Sequence, residues 1–150
     1  MTATIHYLHS APKHRRAVAE LIYETFWADQ NGYGVDDLDA LLQDAQDPNC
    51  MPLCLIALEH DRLVGTVNLI HNDDEARPYL HPWLAALVVV PEARGQGIGA
   101  QLVRALLSEA RRLDLKQLYL GTGLPGFYRR FGAELHEQVR EDFVIMRIAL

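Results

Sequence analysis

Positive charge is scarce in this chain: 14 lysines and arginines stand against 20 aspartates and glutamates, a formal net charge of -6. A partner gripped by its phosphate backbone demands a basic footprint, so no nucleic-acid partner is expected. Cysteine is nearly missing. The only two, Cys50 and Cys54, lack the two-residue gap of a dithiol motif, and Cys54 sits in the apolar run Leu53 to Leu58, where a thiol behaves as a small core residue. Long apolar runs are missing too: none approaches the roughly 20 residues that span a bilayer. The start, Met1 to His6, has neither a basic nor an apolar leader region, so a cytoplasmic protein without a membrane partner is expected. Seven histidines are scattered with no helical ligand spacing, which predicts no metal site. Internal repeats, low-complexity stretches and linkers are likewise lacking.

What is present suits one domain over residues 1–150. The hydrophobic fraction is 49% and the charged fraction 23%, ordinary for a globular chain. A domain of this size buries roughly 70% of its unfolded surface and needs no disulfide or metal staple. Within the acidic whole, Arg94, Arg104, Arg111, Arg112, Lys116, Arg129 and Arg130 give the later half a basic bias that suits a small polyanionic ligand.

The pattern of apolar residues and breakers sets the expected elements. Thr4 to Leu8 is a short strand. Ser10-Ala11-Pro12 then opens a helix with Ala17, Val18, Leu21, Ile22 and Thr25 on one side, broken by Asn31-Gly32-Tyr33-Gly34. A second, acidic helix runs from Val35 to Ala45 with Leu38, Leu41 and Leu42 inward; its aspartates, with Asp29, read as a solvated face. Leu53 to Glu59 and Arg62 to Ile70 form a hairpin, and Asn72 to Glu75 a loop. Trp83 to Val90 is a central strand. Ile98 to Leu113 is an amphipathic helix with Ile98, Leu102, Leu106, Ala110 and Leu113 inward. Gln117 to Leu120 is a strand, Phe127 to Phe131 a short helix, and Phe143 to Ile148 a closing strand paired with Glu134 to His136. Hairpins combined with one β-α-β crossover predict a mixed α/β sheet, mostly antiparallel, and not a doubly wound parallel one. A C-terminal strand ending at Ala149-Leu150 is placed to support a homodimer.

Chemistry concentrates between Leu87 and Gln101. A buried strand passes into a turn with glycine at Gly95, Gly97 and Gly99, and those glycines open a helix. The first turn of a helix leaves N–H groups without internal partners at the positive end of the macrodipole. Glycines remove the Cβ atoms that would hold an anion away. The combination makes a site for a phosphate or pyrophosphate, with Arg94 placed either to hold the negative charge or to brace the turn. Gly95, Gly97 and Ala100 also satisfy the dinucleotide fingerprint G-x-G-x-x-G/A. That reading wants an acidic residue about 20 positions on, at the end of the next strand; Gln117 to Leu120 has none.

Arg94-Gly95-Gln96-Gly97-Ile98-Gly99 resembles the R/Q-x-x-G-x-G/A signature of the GNAT N-acetyltransferase superfamily. The likeness extends back through Leu87, Val89 and Pro91, and forward to Phe127-Tyr128-Arg129-Arg130-Phe131-Gly132, which is similar to an F-Y-x-x-x-G segment of that family. The resemblance implies a central, twisted, mostly antiparallel sheet of about six to seven strands flanked by about four helices, with a splayed central strand pair. It implies an acyl-CoA-dependent N-acyltransferase, with acetyl-CoA as the donor and a small-molecule or peptide amine as the acceptor. The cofactor's pyrophosphate would lie on the N–H groups of Gly95, Gln96, Gly97, Ile98, Gly99 and Ala100, and its pantetheine arm on backbone groups of Leu87 and Val89. An N–H near Val89 would polarise the thioester carbonyl, and Tyr128 would protonate the departing sulfur. Where the family often carries an asparagine, this chain has the link Gly121 to Gly126, with Thr122 as its polar residue. The base stays open among Glu59, His71, Glu75, His81 and a water chain. Trp27, Asp29, Tyr33 and Trp83 are expected to line an acceptor pocket. A coenzyme A-binding sensor without turnover is the rival reading.

Overall fold

The computed structural model describes residues 3–29 and 32–150. The expected chain break at Asn31, and the leader reading at Met1 and Thr2, fall outside the described residues. Seven strands form one sheet: β1 Thr4–Tyr7, β2 Leu53–Glu59, β3 Arg62–Ile70, β4 Trp83–Val89, β5 Gln117–Thr122, β6 Ala133–Arg140 and β7 Phe143–Ala149. Their order is β1-β2-β3-β4-β5-β7-β6. Every neighbouring pair is antiparallel except β4 and β5, which run parallel. The helices are α1 Arg15–Ile22, continued by a π-helical turn Tyr23–Trp27, then α2 Val35–Gln43, α3 Ile98–Arg112 and α4 Pro125–Arg129. Among the described residues, no helix is long and apolar enough to cross a membrane.

The period of two along a strand sorts the core into layers. In β2, Leu53, Leu55 and Ala57 join Leu102, Val103 and Leu106 of α3, while Cys54, Ile56 and Leu58 meet Val18, Ala19 and Ile22 of α1 and Leu38 and Leu42 of α2. With both faces covered, β2 carries no alternating polar residues and reads as an unbroken apolar run. Each leucine buried this way stabilises the fold by about 1.5–3 kcal/mol. Cys54 is a buried free thiol and Cys50 an exposed one, so the two form no bridge.

Two inward stripes differ from expectation by a small rotation. In α1 the buried residues are Val18, Ala19 and Ile22, while Ala17 and Thr25 are exposed. In α2 Leu41 is exposed, because Leu38 and Leu42 already fill the contact with α1. The β5 strand runs two residues further than expected, to Thr122, because β7 pairs with it along that length. Likewise β6 extends to Arg140, in register with Phe143.

One irregularity positions the site. Thr66 pairs with Val88 and Asn68 with Ala85, so Val67 faces both Ala86 and Leu87, and Ala86 adopts a φ of 51°. This bulge bends β4 and raises its twist. Beyond the single register pair Trp83–Tyr119, strengthened by a 2.9 Å bond from Tyr119 N to Pro82 O, β4 and β5 diverge.

Candidate functional site

Where β4 ends, Pro91–Ala93 forms a 3-10 turn and Arg94 folds back to donate from Nε to Val89 O at 2.9 Å. Arg94 therefore braces the turn. Gly95 and Gly97 have φ values of 78° and 82°, in the left-handed region that side chains with a Cβ rarely adopt. A Cβ at either would meet nothing within 4 Å, so conformation, not crowding, demands glycine there. Gly99 is different: its Cβ would make ordinary contacts, 3.6 Å from Phe127 and 3.8 Å from Val89. No side chain caps α3, and Gln101 N bonds to Gly97 O at 3.0 Å. The N–H groups of Ile98, Gly99 and Ala100 lie ahead of that bond and point their partial positive charge out of the helix.

This end of α3 opens into a cavity of about 1020 Å³, at the upper end of the range for ligand pockets. The splay between β4 and β5 makes its long wall. Since β4 has no strand partner on its β5 side beyond Trp83, backbone N–H and C=O groups of that edge are left for the cavity. Leu87, Val89, Arg94, Gly95, Gly97, Ile98, Gly99 and Ala100 all line it, as does Tyr128 from α4. Gln96 does not; its side chain is exposed on the outside of the turn. Tyr128 is 9% exposed, and burial pushes its hydroxyl up to about 12. It therefore stays protonated throughout the neutral range. Pro125 at the start of α4 sets the helix two residues earlier than expected and brings Tyr128 onto the cavity. Thr122 is spent locally, its Oγ1 accepting from Leu124 N at 2.9 Å.

None of the expected bases lines the cavity. His71 and His81 stack on each other at 4.8 Å away from the cavity wall, and Glu75 is likewise not part of that wall. Glu59 ends β2 opposite Arg62. The carboxylate that does line it is Asp73. Its neighbours are all engaged within their own loop. Asn72 donates from Nδ2 to Arg77 O at 3.0 Å and Leu80 O at 3.1 Å, and its Oδ1 accepts from Asp74 N. Asp74 accepts from Ala76 N and from Arg77, which is also bonded to Glu137 on β6. Asp73 is what this tied loop presents. Asp73 as a residue stays open to solvent, yet the protein crowded around its carboxyl first, and the Asp74 charge second, push that carboxyl up to about 6. In sequence the signal was faint: an Asn-x-Asp spacing whose outer members turn back on the backbone.

Of the expected acceptor pocket, Trp27 lines the cavity, joined by Thr25 and Phe26. Asp29 is exposed and Tyr33 packs edge-on against Trp27 at 4.7 Å, while Trp83 is core, donating from Nε1 to Leu80 O at 2.7 Å. The basic bias divides as well. Arg130 lines the cavity and stacks on Phe127 at 5.3 Å, whereas Arg112, at the far end of α3, is taken by Glu109, Asn49 and Pro48. Arg140, not singled out from sequence, lines the cavity from the end of β6.

Comparison with known proteins follows the same outline. N-alpha-acetyltransferase 30 of Schizosaccharomyces pombe is 32% identical over 82 residues, covering 51% of this chain and 54% of that protein; the chain thus matches about half the length of this curated relative. A solved acyl-CoA N-acyltransferase from Pseudomonas aeruginosa superposes with a TM-score of 0.69 at 27% identity over 99% of each chain. A solved aminoglycoside 6'-N-acetyltransferase complexed with coenzyme A shares the fold, with a TM-score of 0.74 at 20% identity over 97% of this chain and 96% of that one. The sequence model of the acetyltransferase (GNAT) family matches residues 19–133, a span that takes in the bulged strand, the glycine turn and Tyr128, and the chain belongs to that family.

Proposed function

We propose that the chain transfers an acetyl group from acetyl-CoA directly to the nitrogen of an amine. The observation that carries this reading is the uncapped, glycine-opened start of α3 emptying into a cavity with Tyr128 and Asp73 on its walls. The residues suit coenzyme A: free N–H groups from Gly95 to Ala100 for a pyrophosphate, and the open edge of β4 at Leu87 and Val89 for the amide-bearing arm. Gln96 contributes only its backbone, and Arg94 keeps the turn in shape. The solved relative holding coenzyme A on this fold supports the same assignment.

Acetyl-CoA supplies an electrophilic thioester carbonyl and a sulfur leaving group. The bulge at Ala86 and Leu87, released from regular pairing with β3, offers an N–H for the carbonyl oxygen. Asp73, with its carboxyl at about 6, is mostly ionised at neutral pH and accepts the proton that nitrogen sheds as it bonds to carbon. The carbon–sulfur bond breaks and its electron pair leaves on sulfur. Tyr128, held near 12, is a poor source of a whole proton for a thiol titrating near 8–9, so it serves as a hydrogen-bond donor to the thiolate.

The test is calorimetric titration with acetyl-CoA, coenzyme A and NADH on the wild type and on Gly97→Glu, alongside a thiol-release assay with amine acceptors. Binding of the coenzyme A ligands but not NADH, abolished by the substitution, is the expected result. Binding without thiol release for any amine would leave a coenzyme A sensor in place of an enzyme.

A further inference from the structure

Strand alternation divides the walls of the cavity by sheet face. Leu118, Leu120, Val144 and Met146 point to the α3 side, where Tyr128 lies. Tyr119 and Ile145 point to the other side and pack with Trp83. By the same period, Gly121 and Phe143 belong to that second face, the one that α1 and its π-helical extension to Trp27 also cover. A Cβ on Gly121 would lie 2.6 Å from Phe143 Cζ, so the glycine lets the Phe143 ring lie on the strand. Arg140 lies over that ring at 4.5 Å. Its only ion-pair partner among the described residues is Asp142, 3.5 Å away, with side chains 64% and 87% exposed, a contact worth little in water. A planar cation is thus shelved on an aromatic ring at the cavity wall with its fork free.

Among the described residues Asp73 is the only acidic one lining the cavity, against Arg94, Arg130 and Arg140. Arg94 belongs to the glycine turn and Arg130 to the tyrosine helix, which leaves Asp73 and Arg140 as the charged pair for the second substrate. A polycationic acceptor would meet one carboxylate and a repelling guanidinium. Phe26, 44% exposed, and Phe143, under Arg140, add apolar surface to the same cavity. We infer that the acceptor is an amino carboxylate with an apolar side group, such as an apolar α-amino acid: its nitrogen goes to Asp73, its carboxylate to Arg140, and its side group to the phenylalanine rings. This rests on the acetyl-transfer reading above.

The test uses the intact chain with acetyl-CoA and follows thiol release. The acceptors are phenylalanine, leucine and methionine, each with its amide and its decarboxylated amine, and spermidine as a polycation. The amino acids exceed their amides and amines in kcat/KM by roughly ten- to a hundredfold, the worth of one charge-assisted hydrogen bond. Arg140→Gln removes that preference by raising KM for the amino acids, while KM for the cationic amines stays level or falls with the repulsion gone and the calorimetric affinity for coenzyme A is unchanged. Equal or better use of the amines or spermidine overturns the inference, as does coenzyme A binding with no turnover of the amino acids. Failure of the wild type to bind coenzyme A overturns the acetyl-transfer reading and this one with it.

Discussion

Asp73 and Tyr128 are both shifted upward by protein around them, and the two shifts have opposite consequences for catalysis. On the acetyl-transfer reading, Asp73, with its carboxyl at about 6, must lose its proton to act, so the rate should fall as pH drops through 6. Asp73→Asn is expected to lower kcat by about 10²–10⁴ and to erase that acid limb from the pH–rate profile. The same shift costs stability. A folded-state value above the unfolded one means the native state binds the proton more tightly, so stability falls as pH rises from about 4 toward 6. Asp73→Asn should therefore melt at or above the wild-type temperature at pH 7 while losing activity, a pairing that scanning calorimetry and the thiol assay check together. Tyr128 at about 12 titrates beyond the working range and adds no alkaline limb. Tyr128→Phe should cut kcat with coenzyme A affinity unchanged. These residues also mark what sequence discloses at this scale. The glycine turn and the place of Tyr128 beside the cavity were legible because each sits in a short contiguous motif. The place of Asp73 on that wall was not, because it comes from what Asn72, Asp74 and Arg77 do with their own hydrogen bonds.

Among the elements, β5 and β7 meet most tightly where Gly121 lies under Phe143. Gly121→Ala forces the ring aside, since no real Cβ sits 2.6 Å from a neighbour. Because the atom met is the tip of a half-buried side chain, the expected cost is the low end of overpacking, about 1 kcal/mol, read from the denaturant midpoint. Gly99→Ala, where the new methyl makes only ordinary contacts, should leave stability within about 0.5 kcal/mol of wild type. The hairpin of β2 and β3 was readable to the residue, since apolar runs bounded by a polar turn leave little freedom. The inward stripe of α1 was not: Ala17 and Ala19 are equivalent on hydrophobicity alone, and only packing against Ile56 and its neighbours selects Ala19. The far ends of β5 and β6 were missed for a related reason, because pairing with β7 extends strands that Gly121, Thr122 and the polar residues of β6 do not announce.

Over the whole molecule the sheet is two blocks, β1 to β4 and β5 with β7 and β6, joined by one register pair, by the α3 crossover and by the ion pair of Arg77 with Glu137. The order of elements, and with it the mixed sheet, followed from hydrophobic periodicity. The seam did not, since neither strand's pattern records how many rungs its neighbour shares. A ligand lying in that seam touches both blocks. At a hundredfold excess over its dissociation constant it should stabilise the fold by about 2.7 kcal/mol, a gain absent in Gly97→Glu. Hydrogen exchange should slow at the β4 and β5 edges together, and not at β1 or β6. In mechanical language, the molecule is a ladder built with its middle rungs left out. On the acetyl-transfer reading, the substrate's own amide-bearing arm supplies them. Stiffness then becomes a property borrowed for the length of one turnover, greatest while the reactants are aligned and surrendered when the spent thiol departs.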